Sequence, residues 1–183
     1  TNSLVPVYNP DGSYTKEGAS LVGTLIEGGE TVSKSSVVYT QFTAEADLVK
    51  NMWKIKADFT AKINDKRDDA WDSDRNIPYR KGVDPVDMYL GWENYAQKAD
   101  ARTIYTSLNL YTDFHLDLDK HSFTVIGGYS QEYENYNYFL AKRKDLITDT
   151  YPTVQLATGD MTIKEDDYTW AIRSDFYRLN YIY

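Results

Sequence analysis

The sequence predicts an all-β chain: an antiparallel up-and-down meander of long strands, part of a transmembrane β-barrel with long extracellular loops. Three observations predict it. Apolar and polar residues alternate over long stretches, the longest being KHSFTVIGGYSQEYENYNYFLAKR from Lys120 to Arg143. Globular strands run about five or six residues, whereas these alternating segments run some fourteen to twenty. Tight two-residue turns join the segments at one end, and loops of up to roughly thirty residues join them at the other.

Residues 1–34 read mostly as loop, with NPDG as a turn signal. Ser35–Val49 then alternates, Lys50-Asn51 reads as a two-residue turn, and Met52–Trp71 alternates again. With that turn, Leu48 faces Trp53, Ala46 faces Ile55 and Phe42 faces Phe59 on one side. Asp47 faces Lys54 and Glu45 faces Lys56 on the other, opposite charges across the ladder. A one-residue slip would reverse every side chain, so the pattern specifies the register.

A long loop follows, broken by Pro78, Gly82, Pro85 and Gly91. The third strand spans Ala101–Leu118, and Asp119-Lys120 turns it into the fourth. Leu116 then faces Phe123, Phe114 faces Val125 and Leu110 faces Tyr129, while His115, Asp113, Asn109, Ser122, Thr124 and Ser130 lie on the polar side. RKDLITDTYPTVQLATGD is a polar loop with room for a short helix, and DYTWAIRSDFYRLNYIY is the last strand. That makes about five long strands in one partial barrel over 1–183.

Length decides between lipid and a packed core. From Trp53 to Ile63 the apolar face covers roughly 34 Å of strand at about 3.4 Å per residue. Tilted by about 45°, that is roughly 24 Å of height, close to the ~25 Å apolar band of an outer-membrane barrel. Beyond it the strands become polar and tyrosine-rich, as an aromatic girdle requires. The alternative from the same alternation is a soluble β-sandwich that binds glycan through exposed tyrosines.

Composition excludes other classes. The chain has 183 residues, 20 basic against 28 acidic side chains and a net charge of -8. Its longest basic run is Lys142-Arg143-Lys144, so a nucleic-acid partner is not expected. It holds no cysteine, which removes disulfides, thiolate metal sites and cysteine nucleophiles. No apolar run approaches the ~18 residues of a transmembrane helix. A chain beginning at Thr1 without a signal peptide is expected of a processed piece or a fragment.

Catalytic and metal patterns are thin, and neither an enzyme nor a cofactor is expected. His115 shares its face with Asp113 and Asp117, but no nucleophile or third ligand has matching spacing. DSDRNIPYRKGV from Asp72 opens like a calcium loop, then has Ile77 in place of the glycine and Val83 in place of the bidentate glutamate. Asp68-Asp69 and Asp166-Asp167 are adjacent, so in a strand their carboxylates point to opposite faces. Gly127-Gly128 precedes no helix and reads as a strand kink or bulge.

HSFTVIGGYSQE, followed after a polar loop by WAIRSDFYRLNYIY, resembles the barrel of SusC/RagA-type TonB-dependent outer-membrane transporters. That family has a strand of the HxFTxxxGYEQ kind, a loop with an xTD…P element and a WALRSxFGRLNYxY-like strand. INDKRDDAW…GWENYAQKADARTIYTSLNLYTDFHLD extends the likeness over nearly the whole chain, and it is strongest from Ala101 onward. Tyr177 stands where the family usually has glycine. With no plug domain, TonB box or closing strand, the resemblance implies an internal barrel segment.

The resemblance further implies a place in the outer membrane of a Gram-negative bacterium and a role in importing oligosaccharides or peptides. It implies a SusD-like surface lipoprotein as lid, the TonB complex as energy source and outer-membrane lipid around the wall. The aromatics Trp71, Tyr79, Tyr89, Trp92, Tyr95, Tyr133, Tyr136 and Tyr138, in the long loop and at the strand tops, are the candidates for touching substrate or lid. Their alternative role is girdle and loop packing.

Overall fold

The computed structural model describes residues 6–73, 76–82, 88–91 and 93–183. Five long antiparallel strands form one sheet: β1 (Glu30–Val49), β2 (Trp53–Asp72), β5 (Tyr95–Leu118), β6 (His121–Lys144) and β7 (Met161–Ile182). Its order is β1-β2-β5-β6-β7, so each long strand pairs with the next long strand in sequence. Two short strands, β3 (Asn76–Tyr79) and β4 (Met88–Gly91), pair separately with Ile77 opposite Leu90 and Pro78 opposite Tyr89.

The hairpin registers agree with the alternation. The Met52 N–H donates to the Val49 carbonyl at 3.0 Å, closing the turn over Lys50-Asn51. Asn51 and Asp119 adopt φ of 59° and 53°, left-handed values that Asn and Asp tolerate better than other side chains. Lys54 Nζ lies 2.6 Å from Glu45 and 4.0 Å from Asp47, and Thr43 donates to Asp58 at 2.6 Å. Across β5 and β6, His115 Nδ1 meets Thr124 at 3.1 Å and Ser130 donates to Asn109 at 2.7 Å.

These contacts sort the side chains onto two faces. On the first, Trp53 meets Phe114 edge-on at 6.4 Å, and its indole N–H donates to Thr112 at 2.8 Å. Period-two alternation extends the assignment along each strand. Trp53, Ile55, Phe59, Leu108, Leu110, Phe114, Phe123 and Val125 share this face; Lys54, Lys56, Glu45, Asp47 and His115 take the other. Further along β2 the first face turns charged, where Asp65 pairs with Arg102 (3.5 Å), Arg67 with Asp100 (2.8 Å) and Asp69 with Lys98 (3.6 Å).

The chain divides into two compact units, one of residues 35–66, 101–138 and 165–183, the other of 1–34, 67–100 and 139–164. In the first unit no apolar side chain is buried among the described residues, and Trp53, Ile55, Phe59 and Val125 are exposed. A β-sandwich would cover one face of each sheet with a second sheet. Here one sheet carries an uncovered apolar face, so the sandwich alternative does not describe this fold.

The second unit holds every buried apolar residue among those described: Ala19, Ala70, Ile77, Ala96, Ala99, Leu146 and Ala157. Trp71 and Val154 pack against Ala96, Leu146 and Ala157. The connection after β6 is tied down by Asn94, whose Oδ1 accepts from the Leu146 N–H at 3.1 Å. Its Nδ2 donates to the Leu146 carbonyl at 3.4 Å, so one amide satisfies both backbone groups of Leu146.

Several local expectations are corrected. Residues 16–27, within the stretch expected to be mostly loop, are helical: α1 (Lys16–Gly18), a π-helical turn (Ala19–Gly23) and α2 (Thr24–Glu27). Thr15 caps the start, its Oγ1 accepting from the Gly18 N–H at 2.9 Å. β1, β5 and β7 each begin before the expected residue, because neighbouring strands pair polar backbone as readily as apolar. The connection 145–160 contains turns and no helix, and the long loop contains the β3–β4 pair. β6 runs unbroken through Gly127-Gly128. A Cβ on Gly128 would collide with the Phe176 ring, so this glycine makes room for an aromatic on the next strand.

Candidate functional site

The polar face of the first unit concentrates aromatic and acidic groups where β5, β6 and β7 run side by side. Glu132, Glu134 and Tyr136 are alternate residues of β6 and share a face. Tyr168 and Trp170 stand beside them on β7, and Tyr105 on β5. Glu134 Oε1 accepts from the Tyr168 hydroxyl at 2.9 Å and from the Trp170 indole N–H at 3.1 Å.

The rings form two pairs. Tyr136 stacks on Tyr168 with centroids 5.1 Å apart and planes 24° from parallel, and Tyr105 lies 6.4 Å from Trp170 at a tilt of 52°. On the apolar face of the same strands, Asn135 donates to Thr169 at 2.9 Å, which fixes the β6–β7 register that aligns the cluster. The arrangement offers flat aromatic area with carboxylate acceptors beside it, suited to polar ligands that carry both donors and apolar stems.

Of the residues singled out from sequence, Tyr136 belongs to this cluster. Tyr138 lies one alternation further along the same face of β6, while Tyr133 lies on the apolar face and is exposed. Trp71 is a packing residue of the Leu146 cluster. Tyr95 lies under Lys142, whose Nζ is 3.7 Å from the ring centroid. Tyr79 lines a hollow of about 570 Å³ with Thr15, Lys16, Arg80 and Met88. Tyr89, on β4, is exposed. Trp92 lies outside the described residues.

Sequence reasoning missed Tyr105, Glu132, Glu134, Tyr168 and Trp170. The signal was partly present, because the turn at Asp119-Lys120 places Tyr105 opposite Glu134. Extending the row to Trp170 needs the β6–β7 register, and no tight turn sets it. Beyond the cluster, Glu93 is held below the usual carboxylate range by the hydrogen bond and charge of Lys144, whose Nζ lies 2.7 Å from Glu93 Oε2. Among the described residues no group of three or more His, Asp or Glu could hold a metal ion, and no helix is long and apolar enough to cross a membrane.

No protein-family model and no curated protein matches the sequence. Solved structures do match the fold. A structure of the RagAB peptide transporter superposes with a TM-score of 0.73 at 17% identity, covering 93% of this chain and 19% of that one. The RagAB peptide importer in its closed-closed state gives 0.70 at 17% identity, covering 85% and 16%. In its open-open state it gives 0.69 at 18% identity, covering 84% and 16%. The chain thus spans less than a fifth of the length of the chains it matches. Its five-stranded meander has the fold of part of a β-barrel transporter, in keeping with the SusC/RagA-type resemblance carried by its sequence.

Proposed function

We propose that this chain forms part of the barrel wall of a SusC-like, TonB-dependent importer in the outer membrane of a Gram-negative bacterium. The observation that carries the reading is the uncovered apolar face, running from Trp53 to Ile63 on β2 and bounded by ion pairs. Such a face is stable against lipid, and a closed barrel is the sheet form that leaves no unpaired edge there. The opposite face, with Lys54, Glu45, Asp58 and His115, lines the water-filled interior.

The cargo is an oligosaccharide or a peptide, and the similarity to a peptide importer favours peptide. A SusD-like lipoprotein acts as lid, and TonB supplies the energy. Tyr79, Tyr89, Trp92, Tyr95, Tyr136 and Tyr138 are the contacts offered to cargo or lid, while Trp71 packs against Ala96, Leu146 and Ala157 and Tyr133 faces the lipid boundary. The task is transport and involves no enzymatic step.

This chain holds no cysteine to compete for label, and single cysteines give a direct test once any cysteine in the rest of the transporter is replaced. Ile55→Cys and Lys56→Cys are placed singly in the complete transporter and treated in native outer membranes with a charged, water-soluble maleimide. Lys56→Cys labels and Ile55→Cys does not, and a bimane on Ile55→Cys is quenched by a lipid-borne quencher. The reverse pattern, or recovery of the protein without membranes, refutes the reading.

A further inference from the structure

The cluster of Tyr105, Glu132, Glu134, Tyr136, Tyr168 and Trp170 sets two carboxylates among stacked and tilted aromatic rings. Elsewhere on that face two carboxylates meet cations, Glu45 at 2.6 Å from Lys54 and Asp58 at 3.3 Å from Lys56. Glu132 and Glu134 form no ion pair among the described residues. The partners of Glu134 are neutral donors on the aromatic rings themselves, the Tyr168 hydroxyl and the Trp170 indole, and Glu132 stands one alternation away on the same face.

Those donors aim the Glu134 carboxylate without neutralising it. Two alternate residues of a strand stand roughly 7 Å apart, so the negative charges reinforce each other over the ring faces. An ionised carboxylate has about four acceptor sites, and the ring donors use two of those on Glu134. Ring faces carry negative quadrupole potential and attract a cation for the same reason. Carboxylates beside Tyr and Trp faces therefore select a positive group with a hydrophobic stem.

We propose that this cluster is a subsite for the lysine or arginine side chain of a peptide, its cation lying between Glu132 and Glu134 and its methylenes against Trp170 and Tyr105. The proposal rests on the importer reading above and deepens it by naming the cargo chemistry. A neutral oligosaccharide would use the rings and leave the two charges without a counterion.

The complete transporter in detergent is titrated calorimetrically with three glycine-flanked pentapeptides, carrying two lysines, two glutamines or two glutamates. Neutral maltopentaose and an oligomer of glucosamine are further probes. The expected result is tightest binding of the lysine peptide, weakened about tenfold by Glu132→Gln with Glu134→Gln and by a rise in salt. The glutamine peptide is unaffected by those substitutions. Trp170→Leu weakens the lysine peptide while the Glu→Gln variant retains the wild-type thermal midpoint, which separates binding from folding.

Equal binding of the three peptides overturns the proposal. So does a lysine preference that survives both glutamine substitutions, since the selecting charge then lies elsewhere. A glucosamine oligomer that loses affinity in parallel with the lysine peptide also overturns it, assigning the subsite to an amino sugar. If none of the five probes binds and none is taken up by cells, the importer reading itself has failed.

Discussion

Gly128 on β6 lies directly beneath the ring of Phe176 on β7, so closely that a single methyl group at position 128 would occupy the space of the ring. The same ring is 6.0 Å from Tyr111 on β5. Phe176 therefore reaches over the intervening strand, and a glycine is what lets it. Gly128→Ala is expected to destabilise the folded barrel by about 1–3 kcal/mol through overpacking. Phe176→Ala in the same chain should recover part of that loss. Urea titrations of the refolded transporter in lipid vesicles would show it, and strictly additive effects would contradict the packing account.

The two faces differ most sharply at neighbouring residues Ile55 and Lys56. In the proposed barrel wall, Ile55→Arg puts a charge on the uncovered apolar face and should cost about 2–4 kcal/mol near the bilayer midplane. Lys56→Gln removes a charge from the wet face and should stay within about 0.5 kcal/mol of wild type. Comparable costs at the two positions in the same vesicle assay would mean that the faces are misassigned.

Asn94 holds both backbone groups of Leu146, at 3.1 and 3.4 Å. Asn94→Ala leaves them to compete for water and should weaken the local anchoring by about 1–2 kcal/mol. Hydrogen exchange of the Leu146 amide should then accelerate by roughly fivefold to thirtyfold, with no change in the exchange of β6 amides near Val125. Asn94→Asp keeps an acceptor for that amide and should preserve more of its protection than alanine does.

The Glu93–Lys144 pair gives that region a pH dependence of known sign. Folding lowers the pKa of Glu93 because Lys144 donates to it. A lowered carboxylate contributes above its unfolded value, about 4.3, and the contribution disappears as pH falls through the folded value. Exchange of the Leu146 amide, corrected for its intrinsic pH dependence, should therefore rise below about pH 4. Glu93→Gln should remove that rise. If it persists in the variant, another carboxylate is responsible.

The hairpins could be read from sequence because a two-residue turn and a period-two pattern fix the register together. Leu48, Trp53, Phe114 and Val125 admitted one arrangement, and the contacts of Lys54 and His115 agree with it. The β3–β4 pair was not legible, since its strands are four residues each and one contains Pro78. The start of β7 was hidden in the polar run Met161–Asp167, where pairing with β6 rather than side-chain pattern decides. The aromatic and acidic row was missed for a related reason. Tyr105, Glu134 and Trp170 come from three strands, and the long connection between two of them leaves the offset open.

In the proposed barrel wall, the ion pairs of β2 and β5 would act as a waterline. Ile63 is the last apolar residue before Asp65, Arg67 and Asp69 on the same face, each matched by an opposite charge on β5. Sinking by one alternation, about 7 Å along the strand, would draw the Asp65–Arg102 pair toward hydrocarbon and strip its water. Rising by the same step would lift Trp53 and Phe114 out at the opposite margin. The draught of such a barrel would thereby be set from both sides, and a membrane of different thickness would have to thin or thicken, or the barrel tilt, at a cost of fractions of a kcal/mol per Å.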